Sequence, residues 1–297
     1  MSFLIVGHSV VDKIIDKSKL SIKPGGIIYS VISILSQLEE KDELFLCSAI
    51  DESSEPLFKE IYDQVEKKYL QYVDSIPEVE LIIEETGERK EKYSTIINNL
   101  TLPTEGLNQF DGILINMITG FDISLTQLQQ IRKNFSGLIY FDVHTLSRGV
   151  EKGLERNFRL IESFNRWSEC IDILQTNERE LLTLSEKTNE IEIIEELFST
   201  GIIQIIVTRA EKGATVYLNK NDVIKKYHED AIKVKLVNKV GCGDVFGAVY
   251  FYNIIKNKNV TLTLKYANLC AGISTTYSDT EDYLNLKKDA DEQLGKK

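Results

Sequence analysis

Short β-rich apolar runs alternate with longer helical patterns along most of this chain, and this alternation restricts the fold more than any other feature. Phe3–Val6, Leu44–Ala49, Gly112–Ile115, Leu138–Asp142, Ile171–Gln175 and Ile202–Val207 read as buried strands. Between them, apolar spacing predicts helices over Ile27–Leu38, Leu57–Lys67, Leu125–Asn134, Glu178–Glu186 and Glu190–Phe198. Consecutive parallel strands need long crossovers, which helices supply. The alternation therefore predicts an α/β fold, a mostly parallel sheet with helices on both faces.

Two stretches depart from this pattern. Val10–Ile22 and Val79–Ile97 are strand-like but amphipathic, and the second carries the turn signal Glu85-Thr86-Gly87-Glu88. A small sheet projecting from the main body accounts for both, as does an ordinary edge hairpin. Ala214–Leu218 and Val223–His228 predict a hairpin around Lys220-Asn221-Asp222. The charged end, Leu284–Lys297, predicts a solvated tail over its last residues. No repeat, Pro- or Gly-rich linker or composition break divides the chain. The expectation is one domain over 1–297 with appended segments at about 10–22 and 79–98.

The formal charge of −11 argues against a sequence-independent nucleic-acid binder, which needs clustered Lys and Arg. A phosphorylated ligand stays open, because a few backbone N–H groups can hold an anion inside an acidic protein. The four cysteines (Cys47, Cys170, Cys242, Cys270) form no C-x-x-C pair, so a zinc site or disulfide framework is not expected and a reducing cytoplasm is. The start, MSFLIVGHSVVD, lacks the basic region of a signal peptide, and no apolar run reaches the ~18 residues that span a bilayer. A soluble, cytoplasmic protein is expected.

The most informative stretch is Asn238-Lys239-Val240-Gly241-Cys242-Gly243-Asp244-Val245-Phe246-Gly247-Ala248. Strand-like Ile232–Val237 precedes it and an apolar helical run, Val245–Ile255, follows. Two glycines at a strand-to-helix turn let backbone N–H groups face a ligand, and the helix dipole adds positive potential there. Such a turn suits phosphate oxygens. Asp244 beside it could accept a hydroxyl proton as a new O–P bond forms, or could simply cap the helix. No Gly-Lys-Ser/Thr follows, so this is not a Walker A loop; Gly247 falls one position beyond a dinucleotide fingerprint.

These residues resemble the ribokinase-like (phosphofructokinase-B-type) sugar and nucleoside kinases, whose D-T/S-x-G-A-G-D precedes a helix in the carboxy-terminal third. Further similar motifs run through the chain in order: Gly7–Asp12 for G-x-x-x-x-D, the pair Gly25-Gly26, Asn177-Glu178-Arg179-Glu180 for N-x-x-E, Thr208–Gly213 for T-x-G-x-x-G, and the late helix Ala267–Gly272. The resemblance implies a three-layer α/β/α domain with a small β-sheet lid, and ATP-dependent phosphorylation of a hydroxyl on a small sugar, nucleoside or polyol. It implies Asp244 as base in the turn Gly241, Cys242 and Gly243. It places Asp12, Gly25, Gly26 and Ser30 at the acceptor, and Asn177, Thr208, Gly213 and Asn268 at the nucleotide. Glu180 is assigned to Mg2+. A homodimer through the lid edge is a further expectation.

Departures from the pattern are specific. Asn238 and Lys239 stand where Asp and a small hydroxyl residue are usual, Cys242 replaces Ala, Ala210 replaces Gly, and Ser30 occupies a common Asn position. In Asp142–Arg148 the family's D-x-N-x-R is altered, with His144 at the Asn. The competing expectation is a catalytically weakened binding or regulatory protein on the same fold.

Overall fold

The computed structural model describes residues 1–16, 19–83, 89–95, 97–150, 156–221 and 223–295. Fifteen strands lie among them: β1 Ser2–Val6, β2 Ser9–Asp16, β3 Lys19–Gly26, β4 Glu43–Ile50, β5 Glu66–Tyr72, β6 Glu78–Ile83, β7 Arg89–Thr95, β8 Gly112–Asn116, β9 Leu138–Asp142, β10 Arg148–Val150, β11 Arg156–Phe158, β12 Ile173–Asn177, β13 Gln204–Thr208, β14 Ala214–Lys220 and β15 Val223–Glu229. The helices are α1 Ile28–Gln37, α2 Glu55–Tyr62, α3 Leu125–Asn134, α4 Phe164–Ser168, α5 Glu178–Leu181, α6 Glu190–Phe198, α7 Cys242–Asn257, α8 Val260–Ser274 and α9 Leu286–Gly295.

Nine strands form one sheet in the order β15-β14-β13-β12-β9-β8-β1-β4-β5. Its pairs are parallel from β13 through β5, while β14 and β15 add an antiparallel edge hairpin. Phe3, Leu4, Ile5 and Val6 are each 0% exposed, which requires cover on both faces of the sheet. The continuous apolar strands of the sequence reflect this burial. Helix α7 is buried nearly all round, from Val245 to Tyr252, because it packs against both α1 and α8 and reaches β8.

The second sheet, in the order β3-β2-β6-β7, is the expected appendage and is built from the two amphipathic segments. It joins the main body through Gly7-His8 at one end and Gly26-Ile27 at the other, where the Ile27 N–H donates to the His8 carbonyl (3.0 Å). The inward positions Val10, Val11, Asp12, Val79 and Tyr93 are buried, while Leu20 and Ile22 on the edge strand are exposed. The turn signal at 85–88 lies outside the described residues.

Three sequence expectations need correction. The helix expected over Leu57–Lys67 ends at Tyr62, and Glu66–Tyr72 is instead the edge strand β5. Segment 232–237 is irregular rather than a strand, although its alternating pattern is strand-like. The helix expected over Glu178–Glu186 ends at Leu181. The charged end is helix α9, anchored by buried Leu286 and Ala290, with residues 291–295 exposed as expected. Among the described residues no helix is long and apolar enough to cross a membrane.

Candidate active site

At the carboxyl ends of the parallel strands, Gly241 adopts a left-handed conformation (φ 77°) and opens α7. Its N-terminal turn closes with the Val245 N–H donating to the Gly241 carbonyl (2.8 Å). A Cβ at Gly241 would lie 2.4 Å from Cγ of Tyr29, so no other residue fits without displacing that ring. The turn is held from beneath by Gln175, whose Nε2 donates to the Gly243 carbonyl (3.0 Å) and to Asp142 Oδ2 (2.9 Å).

Asp244 sits in the first turn of α7 and does not cap it; Gly241 occupies the cap position. Its Oδ1 accepts a hydrogen bond from Asn116 Nδ2 (2.6 Å) at the end of β8. Burial raises the pKa of Asp244, and this is partly offset by His144 and by the Asn116 hydrogen bond. Asp142 is pushed well above the ordinary carboxylate range by burial and by the nearby Glu180 and Asp244. Glu180 is raised by burial as well, against the pull of His144, the Asn177 N–H and Arg148. Three buried carboxylates thus converge on one place, a charge distribution typical of sites that handle cations or protons.

Two cavities meet at Asp244. The smaller, of about 100 Å³, lies beneath the four-stranded sheet and is lined by Asp12, Gly26, Tyr29 and Arg156 among others. The larger, of about 470 Å³, runs across the strand ends past Asn177, Glu180, Thr208, Gly213, Asn268 and the turn Gly241–Asp244. His144, Val240, Gly241 and Asp244 line both. Arg148, Arg179, Arg209 and Lys239 also line the larger cavity among its carboxylates, with Arg209 ion-paired to Glu178 and Glu190. One ligand atom from each of Asp142, His144 and Asp244 lies within 4.8 Å of the others.

The comparisons with known proteins follow this geometry. Residues 153–286 match the pfkB family carbohydrate kinase model. A 5-dehydro-2-deoxygluconokinase of Clostridium botulinum is 22% identical over 245 residues, covering 78% of this chain and 64% of that protein. The ribokinase of Arabidopsis thaliana, in complex with ribose and ATP, superimposes with a TM-score of 0.74 at 16% identity, over 96% of this chain and 97% of that one. The chain has the ribokinase fold. A pyrophosphate-dependent kinase in the ribokinase family, complexed with a pyrophosphate analog and myo-inositol, gives a TM-score of 0.77 at 17% identity, over 95% of this chain and 98% of that one. In this chain the small sheet stands over the smaller cavity.

Of the residues expected at the acceptor, Asp12 and Gly26 line the smaller cavity. Gly25 stands directly behind Asp12, since a Cβ there would lie 2.3 Å from its carboxylate. Ser30 is placed differently: it is 1% exposed, and its Oγ accepts from Asn116 Nδ2 (3.4 Å) behind Asp244 rather than lining the cavity. All four nucleotide-side residues line the larger cavity, but Asn177 also caps α5 and Asn268 donates to the Asp230 carbonyl (2.7 Å). Glu180 closes the same capping box through Oε2 (2.9 Å to the Asn177 N–H), so it serves the helix as well as the cavity.

Sequence reasoning passed over Asn116, Gln175, Tyr29 and Arg156. Asn116 had a signal, a polar residue closing the otherwise apolar strand GILIN where open α/β sheets place ligands. Arg156 had none, because it reaches the smaller cavity through the β10–β11 hairpin, with its guanidinium 3.8 Å from the Tyr93 ring centroid and its Nη1 donating to Thr145 Oγ1 (3.2 Å).

Proposed function

We propose that the chain transfers the γ-phosphoryl group of ATP to a hydroxyl of a small sugar or polyol, with Asp244 as the base. The observation that carries this reading is the position of the Asp244 carboxylate, which lines both cavities where they meet. An acceptor hydroxyl beneath the small sheet and a phosphoryl group in the larger cavity would come together at this carboxylate. The pfkB match and the sugar-kinase relative support the reaction class.

The steps follow from the residues. Asp12, beside Gly25 and Gly26, orients acceptor hydroxyls, while Val10, Val79 and Ile118 give the acceptor cavity an apolar wall that discourages water. The backbone of the Gly241–Gly243 turn and the four cationic side chains take up charge on the transferring group. Asp244 accepts the hydroxyl proton in its ionised form, which Asn116 and His144 favour against the effect of burial. Glu180 offers a hard oxygen donor that suits Mg2+, and the ion when bound would neutralise phosphate charge. Ala214, Phe246 and Ala271 add an apolar surface to the donor cavity that a nucleotide base can use and a bare pyrophosphate cannot, which favours ATP as donor.

Asp244→Asn tests the assignment. The variant should keep its fold and ATP binding while turnover falls by at least about 10²-fold, the scale of a lost general base. Near-normal turnover would remove Asp244 from this role. ATP consumption by the wild type across sugars, polyols and nucleosides tests the acceptor class. Ligand-induced stabilisation without turnover on any of them would support the binding-only alternative.

A further inference from the structure

The phosphoryl-transfer reading uses His144 only as a charge near Asp244, and its place in the fold offers further chemistry. Asp142 closes β9, and its Oδ1 accepts the backbone N–H of His144 two residues later (3.1 Å), a tight turn in which His144 takes a positive φ of 30°. This turn places the imidazole between Asp142 and Asp244, so that one ligand atom from each residue lies within 4.8 Å of the other two. An ion held at about 2.0–2.2 Å keeps its ligand atoms roughly 3–4 Å apart, so the three side chains need to close by at most about 1 Å to share one.

The charges around these atoms are left incomplete by the protein. Asp142 is held by a backbone N–H and the Gln175 amide, and Asp244 by the Asn116 amide. Among the described residues neither carboxylate has a Lys or Arg ion pair, although they are only 4% and 9% exposed. A second observation points the same way. Asn116 is 1% exposed, and while its Nδ2 is bound to Asp244, its Oδ1 is buried beside that carboxylate with no partner in the protein. Buried oxygen acceptors without donors are costly unless a cation or water meets them.

The donor set selects the kind of cation. Mg2+ prefers an all-oxygen octahedral shell and keeps several of its waters, whereas an imidazole with two carboxylates suits Zn2+ or Co2+. We propose that Asp142, His144 and Asp244 form a binding site for a divalent cation of the Zn2+ or Co2+ class, distinct from magnesium handling at Glu180, and that its occupancy withholds Asp244 from the reaction. The second half of this proposal rests on Asp244 being the base; the first half does not.

The full chain, stripped of metal and free of donor and acceptor, is titrated with Co2+ alone and followed by its visible ligand-field absorption, then with Zn2+ as competitor. The wild type should develop a Co2+ spectrum that Zn2+ abolishes. His144→Asn should weaken Co2+ binding by at least about 100-fold, the upper end of what loss of even an outer-shell partner costs. His228→Asn, at the exposed histidine beside Asp230, should leave binding unchanged. Absence of a Co2+ spectrum in the wild type, or unchanged affinity in His144→Asn, overturns the site; should that variant misfold, Asp142→Asn gives the same discrimination. Zn2+ should also inhibit turnover in excess Mg2+ at concentrations that fill the site, and saturation without inhibition overturns the second half. Because the titrations need no turnover, failure of the kinase reading leaves the metal site separately tested.

Discussion

Two glycines of one turn have opposite physical requirements. Gly241 needs its positive φ and faces the Tyr29 ring, whereas a Cβ at Gly243 would meet nothing within 4 Å. Gly241→Ala therefore forces a left-handed alanine, at about 1–2 kcal/mol, and a ring displacement as well. Urea denaturation should show that loss. Gly243→Ala should denature like the wild type, yet its methyl group enters the wall of the donor cavity, so the KM for ATP should rise by about tenfold or more, equivalent to ~1.4 kcal/mol. Equal stability losses in both variants would contradict this division. The turn was legible in the sequence because its chemistry is local, two glycines and a carboxylate before an apolar helix. Gln175 and Arg156 were not legible, and Asn116 only as a polar strand end, since β8, β12 and β11 bring them to the turn only once the sheet has formed.

At the level of elements, the small sheet is attached through a compact polar joint. The buried carboxylate of Asp122 accepts from the His8 N–H (2.8 Å), the Thr119 N–H (2.9 Å), the Thr119 hydroxyl (3.1 Å) and the Gly120 N–H (3.1 Å). Tyr93 of β7 donates to the Thr119 carbonyl (3.2 Å), so both halves of the small sheet meet this loop. Asp122→Ala strands buried donors and should cost about 3 kcal/mol, while Tyr93→Phe removes one hydrogen bond and should cost about 1 kcal/mol. The KM for the acceptor should rise in both, with the KM for ATP little changed; a reversed order of KM effects would separate this joint from acceptor binding. The amphipathic alternation of β2 and β6 announced this sheet, although β2 is buried or half-buried on both faces from Ser9 to Ile15. The same logic misled at 232–237, where alternation is present but no neighbouring strand pairs with it, leaving Leu236 52% and Val237 55% exposed. It also missed β5, whose charged sequence EKKYLQY is tolerated only because it forms the sheet edge.

Across the whole molecule, six buried or half-buried carboxylates among the described residues divide into two groups with opposite effects on stability. In Asp51, Asp122 and Glu190 burial opposes ionisation but is outweighed by hydrogen-bond donors, and their pKa values are lowered. In Asp142, Glu180 and Asp244 burial prevails and the values are raised. The signs follow from proton linkage. A lowered carboxylate stabilises the fold above its ordinary pKa, and that contribution is lost as pH falls through the folded value. A raised carboxylate contributes stability below its ordinary pKa, and loses it as pH rises through the folded value. At neutral pH the site therefore opposes the rest of the molecule, because burial disfavours the ionised forms of Asp142, Glu180 and Asp244. Asp244→Asn, which is neutral and can still bond Asn116, should resist urea better than the wild type at pH 8 in the presence of chelator. That advantage should vanish near pH 4, where the wild-type carboxylate is itself protonated in the fold. Asp122→Asn should do the reverse, with its largest loss at pH 8 and a shrinking deficit on acidification. If Asp244→Asn were less stable than the wild type at pH 8, the ionised carboxylate would be a stabilising group, and the opposition between site and fold would not exist.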